Sequence, residues 1–471
     1  MEIKSGRKKL LLSNTMILAA GTFASKFLVF FMMPLYTRCL APGEYSTADL
    51  ITQTANLLMP LACAGISQGI FRFALDGEEH RRSVFSSGLA ILAVVSAIFG
   101  MLVPILSLFD IFDSYVWLIA CYVIIANLHA ATAQYIRAKG QTALYAAGGL
   151  VGTVLTVGFN ILFLVGFDMG VLGYVLSVVL GDAVVTVLLF LAGRLWHDVE
   201  LRSVNRGVIR DMLKYSLPMI STTIFWWITN VSDRYLVIAM KGEEINGLYA
   251  VAYKVPTLLT LVCGVFIDAW QFSAVSERDE EERRDFFSSV FSGYQGIIFM
   301  GASGLILFAK FATKILLAQN YYDSWQYIPV LALATAFSAL VTFMASVYMV
   351  RKRSVNSFVT AAVGAVTNIV LNLLLIPRFS ATGAAVATFF SYFIVFIIRA
   401  IDSRKMIPFR LGIPKLIFNT VAISVQCVAM ISEMPYWIPI QIVILGAVFA
   451  VNGKDMVKGI LLALRNKLKK A

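Results

Sequence analysis

Charge is what this chain has least of. Asp, Glu, Lys and Arg make up 14% of its 471 residues, where a soluble domain carries about 25%. So few charges cannot coat a water-filmed surface of this size, and a soluble globular protein is excluded. Cysteine is also scarce. Cys39, Cys63, Cys121, Cys263 and Cys427 stand far apart, without a CxxC pair or a neighbouring His pair, and there are three histidines in all. That excludes a disulfide framework and the usual zinc spacings. Long polar loops are missing too: none exceeds roughly 20 residues, which excludes a folded basic domain for nucleic acid. The same shortage leaves no room for the ordered extramembrane site of a polysaccharide polymerase or ligase. No Gly-rich phosphate loop, ATP-binding motif or paired nucleophile and base is visible, so no enzyme activity, no cofactor and no metal are expected.

What the chain has is apolar bulk. Hydrophobic residues reach 59%, the mean hydropathy is +0.80, and 34 Phe, 18 Tyr and 7 Trp rule out disorder. The expected fold class is an all-α polytopic membrane protein of about 14 transmembrane helices. Apolar runs bounded by charge predict spans at 14–37, 47–71, 84–108, 115–136, 143–166, 170–193, 213–239, 247–272, 287–309, 325–349, 356–376, 382–401, 413–432 and 435–452. The first follows Lys4, Arg7, Lys8 and Lys9 and is too long for a signal-peptide core, so it reads as a retained helix. Spans 13 and 14 are parted by only Glu433 and Met434. The expected domains are an N-terminal lobe at 1–200, a C-terminal lobe at 201–405, and a helix pair with a basic tail at 406–471.

Orientation follows from the basic residues. With the N-terminus inside, 31 of the 39 Lys and Arg fall in cytoplasmic segments, among them Arg399 to Lys415. Five fall outside, and three (Lys26, Arg234 and Lys254) lie within helices. This bias places both termini in the cytoplasm. The longest polar stretch, Ser276 to Asp285, reads as a solvated cytoplasmic turn.

Gly43-x-Tyr45 and Gly247-x-Tyr249 open spans 2 and 8 at an offset of 204 residues, which suggests a parallel six-plus-six repeat. Polar residues then mark candidate sites. Lys26 sits mid-span, roughly 16–18 Å from either end, too deep to snorkel. A cation there costs at least ~2.5 kcal/mol unless it faces protein or a water-filled cavity. Thr15, Thr22, Lys26 and Thr37 share its helix face. Gln53 and Asn56 on span 2, Trp227, Asn230 and Arg234 on span 7, and Tyr253, Lys254 and Thr257 on span 8 form similar faces, with Trp226 beside them. These faces suggest a polar cavity between the halves. Asp182 and Asp268 could be coupling-ion or proton sites, or could neutralise a lysine. Asp233 beside Arg234 reads as a structural ion pair or a water-exposed group, and His129 as a structural histidine. A cationic cavity beside lipid suits an amphiphile with an anionic head, because lysine binds phosphate as a point charge.

Several segments resemble one family. MMPLYTRCLAPGEYSTADL at 32–50, GISQGIFRFAL at 65–75, YSLPMISTTIFWWITNVSDRYLV at 215–237, GLYAVAYKVPTLL at 247–259, FIDAW at 266–270 and NIVLNLLLIPRFSATGAAVAT at 368–388 are similar to the bacterial polysaccharide-transport flippases. Those proteins form the oligosaccharide branch of the multidrug/oligosaccharidyl-lipid/polysaccharide exporter superfamily. The chain departs from the pattern at Ser46 and at Ser380-Ala381, where Gly is usual. The resemblance implies two six-helix lobes with two further helices, and alternating access. Its implied cargo is a polyprenyl-pyrophosphate-linked oligosaccharide, carried across the bacterial plasma membrane for surface polysaccharide synthesis. Lys26, Lys254 and Arg234 become candidates for the pyrophosphate, and the polar residues on the faces become cavity lining. Other implied partners are membrane lipids and polysaccharide polymerase or assembly proteins, with no nucleic acid; a monomer fits. The rival reading on the same fold is a cation-coupled exporter of small molecules or drugs.

Overall fold

The structure is a computed structural model that describes residues 27–28, 30–106, 115–276, 280–351 and 353–470. Every regular element among them is helical. They are α1 (Met33–Cys39), α2 (Pro42–Ala62), α3 (Ile66–Ala74), α4 (Glu78–Leu106), α5 (Val116–Ala138), α6 (Thr142–Asn160) and α7 (Gly170–Ala192). They continue with α8 (Arg206–Lys241), α9 (Glu243–Lys254), α10 (Thr257–Ser276), α11 (Glu280–Leu316) and α12 (Ile328–Val350). The last are α13 (Ser354–Met406), α14 (Ile413–Ile431) and α15 (Trp437–Lys470). Ten helices are long and apolar enough to cross a membrane, and the bent pair α2–α3 brings the number to 11. With α13 folded into two arms, α8 added and the first predicted span largely outside the described residues, the chain is a multi-pass protein of about 14 helices. It divides into two compact units, 1–224 and 225–471.

In the first unit, Pro42 occupies the first turn of α2, and the Glu44 carboxylate accepts the Ala41 N–H at 2.8 Å, closing the helix start. The predicted second span is not one straight helix. Pro60 cannot donate to the ladder, the chain takes positive φ at Ala64 and Gly65, and α3 leaves at 54°. Asn127 of α5 donates to the Met59 carbonyl at 3.1 Å beside this break. After α6 a π-helical turn, Ile161–Gly166, leads into a hairpin with α7. Small residues let these helices approach as membrane helices do: a Cβ on Gly181 would stand 2.4 Å from the Thr156 hydroxyl. Three serines of α4 fasten the segment after α7. Ser83 and Ser86 donate to the carbonyls of Ser203 and Asp198, and Ser87 accepts the Asn205 N–H at 3.0 Å.

In the second unit, α13 is two antiparallel helices folded at Ser380. Contacts pair Asn356 with Asp402, Thr360 with Arg399, and Gly364 with Val395, all centred on that residue. Ser380 has φ 54 and ψ -143, a region populated almost only by glycine. Three residues on, a Cβ at Gly383 would lie 2.5 Å from the Leu375 carbonyl oxygen. The α6–α7 hairpin has the same layout, with Gly170 at φ 54 and Gly173 pressed against Phe163. The pair α14–α15 is a true hairpin turned through Glu433 and Tyr436 at positive φ. Buried polar groups join its two helices to each other, and Gln426 joins the pair to α11. Asn419 and Asn452 exchange amide hydrogen bonds at 3.1 and 2.8 Å. Ser303 donates to Gln426 at 2.9 Å, and Gln441 donates to the Gln426 carbonyl.

Two expectations change. The stretch Ser276–Asp285 is mostly helix, because α11 begins at Glu280, where acidic residues complement the helix N-terminus. Arg399, counted with the cytoplasmic residues, is 1% exposed inside the second arm of α13, seven residues before its end.

Candidate functional site

Sequence spacing sets up a buried polar nest in the second unit. Tyr249 and Tyr253 lie four apart on α9, and Asn368 and Asn372 lie four apart on the first arm of α13, so each pair presents one face. Asp233 of α8 is the centre and is fully buried. Its Oδ2 accepts the hydroxyls of Tyr249 at 2.7 Å, Tyr253 at 3.1 Å and Thr388 at 3.2 Å. Its Oδ1 accepts the Arg234 backbone N–H at 2.9 Å. The Arg234 guanidinium lies 4.7 Å from the centre of the Tyr253 ring, a cation–π contact. Asn368 donates to Thr388 at 3.3 Å and accepts from Ser232 at 2.9 Å and Asn372 at 2.8 Å. The Asn372 Oδ1 is buried with no hydrogen-bond donor facing it.

A second polar string adjoins the nest. Tyr392 donates to Asn230 Oδ1 at 2.5 Å, and Asn230 donates to the Trp226 carbonyl at 2.6 Å. The Trp226 and Tyr392 rings stack at 6.3 Å. Arg399 lies over Trp226 at 5.2 Å and Tyr348 at 5.5 Å. It donates to Thr360 Oγ1 at 2.9 Å and to the Val341 carbonyl at 3.1 Å. Aromatic faces and oxygen acceptors therefore surround this buried cation.

The donor set of the nest is one carboxylate, two side-chain amides and a threonine hydroxyl. Hard cations prefer oxygen ligands of this type, and Asn372 Oδ1 is a buried acceptor that no hydrogen bond fills. No group of three His, Cys, Asp or Glu side chains that could hold a metal occurs among the described residues.

The residues expected from sequence are distributed as follows. Lys26 and Thr22 lie outside the described residues, and so does the Asp268 side chain. Lys254 is half-buried at the last residue of α9, where Pro256 interrupts the helix; its carbonyl accepts the Thr257 hydroxyl. Arg234 is 5% exposed and packed over the nest. Tyr253 belongs to the nest, and Asn230 and Trp226 to the string beside it, while Trp227 meets Tyr235 at 5.7 Å. In the first unit, Gln53 donates to Asp49 at 3.5 Å, and Asn56 is exposed on the same helix. Asp182 pairs with His129 at 3.0 Å. Asp233 is no water-exposed group, because three hydroxyls have replaced water around it. Asn368, Asn372, Thr388 and Arg399 were not anticipated. The two asparagines four apart in an apolar helix were a readable signal, but nothing in sequence ties Thr388 to a carboxylate 155 residues away.

Comparison with known proteins gives the fold and the family. The solved lipid II flippase MurJ in an inward closed conformation is similar, with a TM-score of 0.71, 14% identity, and coverage of 95% of this chain and 100% of that one. An inward-facing multidrug resistance MATE transporter of the MOP superfamily matches with a TM-score of 0.68 and 14% identity over 81% of this chain and 94% of its own. A MOP superfamily transporter from Pyrococcus furiosus matches with a TM-score of 0.62 and 13% identity, covering 84% and 95%. At such identities these likenesses show the fold alone. No curated protein sequence matches the chain. A family model described as "Polysaccharide biosynthesis protein" matches residues 11–272, more than half the chain. The chain is therefore a multi-pass membrane protein of the polysaccharide biosynthesis protein family, with the fold of MOP-superfamily transporters.

Proposed function

We propose that the protein is a flippase that carries a polyprenyl-pyrophosphate-linked oligosaccharide across a bacterial plasma membrane by alternating access. The observation that carries this reading is the pairing of a polysaccharide-biosynthesis family with a flippase-like fold covered from end to end. The positive-inside distribution supports cytoplasmic termini, and loading then occurs from the cytoplasmic leaflet. Lys26 and Lys254 supply positive charge for the pyrophosphate, with Arg234 over the ring of Tyr253, the residue before Lys254. Asn230, Trp226 and Trp227 on α8 and Gln53 and Asn56 on α2 offer polar and aromatic contacts of the kind sugars use. The Asp233 nest binds the small cation whose gradient drives the cycle. Asp268 remains a candidate for the same role. Membrane lipids surround the protein, and a polysaccharide polymerase receives the product.

The test is depletion of the protein in its own cell, with measurement of lipid-linked oligosaccharide in the inner leaflet. The expected result is accumulation that the wild-type chain relieves and Lys26→Ala does not. Absence of accumulation refutes the flippase reading, and full rescue by Lys26→Ala refutes the cationic site.

A further inference from the structure

The first unit carries an ionisable pair that the nest does not use. His129 Nδ1 and Asp182 Oδ1 are 3.0 Å apart, joining α5 to α7, and the side chains are 25% and 23% exposed. Both stand deep in their spans. His129 is 13 residues from Val116 and nine from Ala138, and Asp182 is 12 from Gly170 and ten from Ala192. At ~1.5 Å per residue each lies roughly 14–20 Å from either helix end, near the middle of a ~30 Å hydrocarbon layer. An apolar groove lined by Leu128, Thr132, Thr186, Val187 and Phe190 opens one turn away on the same two helices.

Among the described residues no ion pair brings another charged group to His129 or Asp182. Thr186 spends its hydroxyl on the Asp182 backbone carbonyl at 2.6 Å. The Tyr122 phenol, two turns before His129 on α5, is within electrostatic reach of the Asp182 carboxylate. Of the other helices packed on α5, α2 brings Asp49, which engages Gln53, and α3 brings Arg72, which pairs with Asp76. From α4 comes Arg81, bound to Glu78, and α6 has no charged residue.

With a neutral imidazole and an ionised carboxylate the pair holds an uncompensated negative charge at mid-depth. A lone charge at that depth is costly, because the hydrocarbon layer offers it no water. One proton converts it into a neutral imidazolium–carboxylate pair with a charge-assisted hydrogen bond. Imidazole is the side chain whose ordinary titration range spans neutral pH, so a modest pH difference between compartments fills or empties the site. From this geometry we infer that His129 and Asp182 form a proton-binding site of the first unit, distinct from the Asp233 nest, whose occupancy sets the pH dependence of transport.

This inference rests on the transport reading for its second half only, and two measurements separate the halves. The first follows the imidazole signals of the full chain in lipid nanodiscs by nuclear magnetic resonance between pH 5 and 9. The protein has three histidines, so His129→Gln identifies its signal by subtraction. The expected result is a His129 signal that titrates, and loss of about tenfold or more in its proton affinity in Asp182→Asn, since the carboxylate is removed. A His129 signal that does not move, or one indifferent to Asp182→Asn, overturns the site. The second measures transport of a lipid-linked oligosaccharide by proteoliposomes across the same pH range. The pH profile flattens in both variants if the site governs transport. An unchanged profile beside a titrating His129 overturns the link to transport. A wild-type protein that moves no lipid-linked sugar overturns the flippase reading while the titration still decides the proton site. Gln and Asn preserve size and hydrogen bonding, and equal thermal midpoints at pH 9 show that the variants are folded.

Discussion

Replacement of Ser380 by glycine should stabilise the second unit. The residue joins the two arms of α13 at φ 54 and ψ -143. A non-glycine residue held in this region costs about 1–3 kcal/mol of backbone strain. Glycine removes that strain but raises the entropy of the unfolded chain, at a cost of about 0.5–1 kcal/mol. The net gain for Ser380→Gly is therefore about 1–2 kcal/mol. For a unit of this size about 1 kcal/mol moves the melting midpoint by roughly 2–4 °C, so a rise of about 2–8 °C is expected. The assay is thermal unfolding of the detergent-solubilised chain followed by tryptophan fluorescence. The first hairpin supplies the mirror experiment, because Gly170 has φ 54 at the equivalent turn. Gly170→Ser should lower the midpoint by a similar amount. A Ser380→Gly midpoint that is unchanged or lower refutes the strain argument, and a Gly170→Ser midpoint that does not fall refutes the equivalence of the hairpins.

Two further substitutions test the packing of the second unit. Gly383→Ala places a Cβ 2.5 Å from the Leu375 carbonyl oxygen; forcing the arms apart should cost about 1–3 kcal/mol, seen as a lower midpoint, and an unchanged midpoint would show that the crossing is loose. Asn419→Leu alone leaves the Asn452 amide short of a partner and should destabilise by about 1–3 kcal/mol. The double variant Asn419→Leu with Asn452→Leu removes both polar groups and should recover much of that loss, which a double-mutant cycle of melting midpoints measures.

Sequence reading went furthest where hydropathy and charge act over a whole segment. Spans 4 to 6, 10 and 13 appear as helices within about three residues of their predicted limits, because twenty apolar residues in lipid have few alternatives to a helix; spans 3, 9 and 14 run on beyond theirs, span 8 is broken before Pro256, and spans 11 and 12 are the two arms of α13. Ser380 stood out as a departure from the resembled pattern, and the structure gives the reason a glycine suits that turn. The break after Pro60 was foreshadowed by the proline, but its 54° bend also depends on positive φ at Ala64 and Gly65. Site chemistry was less legible. Asp233 lies next to Arg234 in sequence, which made an ion pair or a wet helix end the natural expectation. Its burial is decided by Tyr249, Tyr253 and Thr388, and only the last is far enough along the chain to have been invisible. Arg399 looked like a helix-end cation because it falls two residues inside the predicted limit of its span. Nothing local reveals that α13 runs on to Met406 and that Trp226 and Tyr348 enclose the guanidinium.

The amide contacts between the last helix pair and α11 have a consequence for how the chain enters the membrane. Acyl chains cannot satisfy an amide; α14 and α15 pair Asn419 with Asn452 between themselves, but the Gln426 side chain finds its partners at Ser303 of α11. α11 precedes them in the chain, and Ser303, its contribution to this seam, is already in place when they emerge during synthesis. The order of the helices thus supplies the Gln426 side chain with a waiting partner. A chain ended after Met406 would instead leave Ser303 of α11, 0% exposed in the intact protein, facing hydrocarbon.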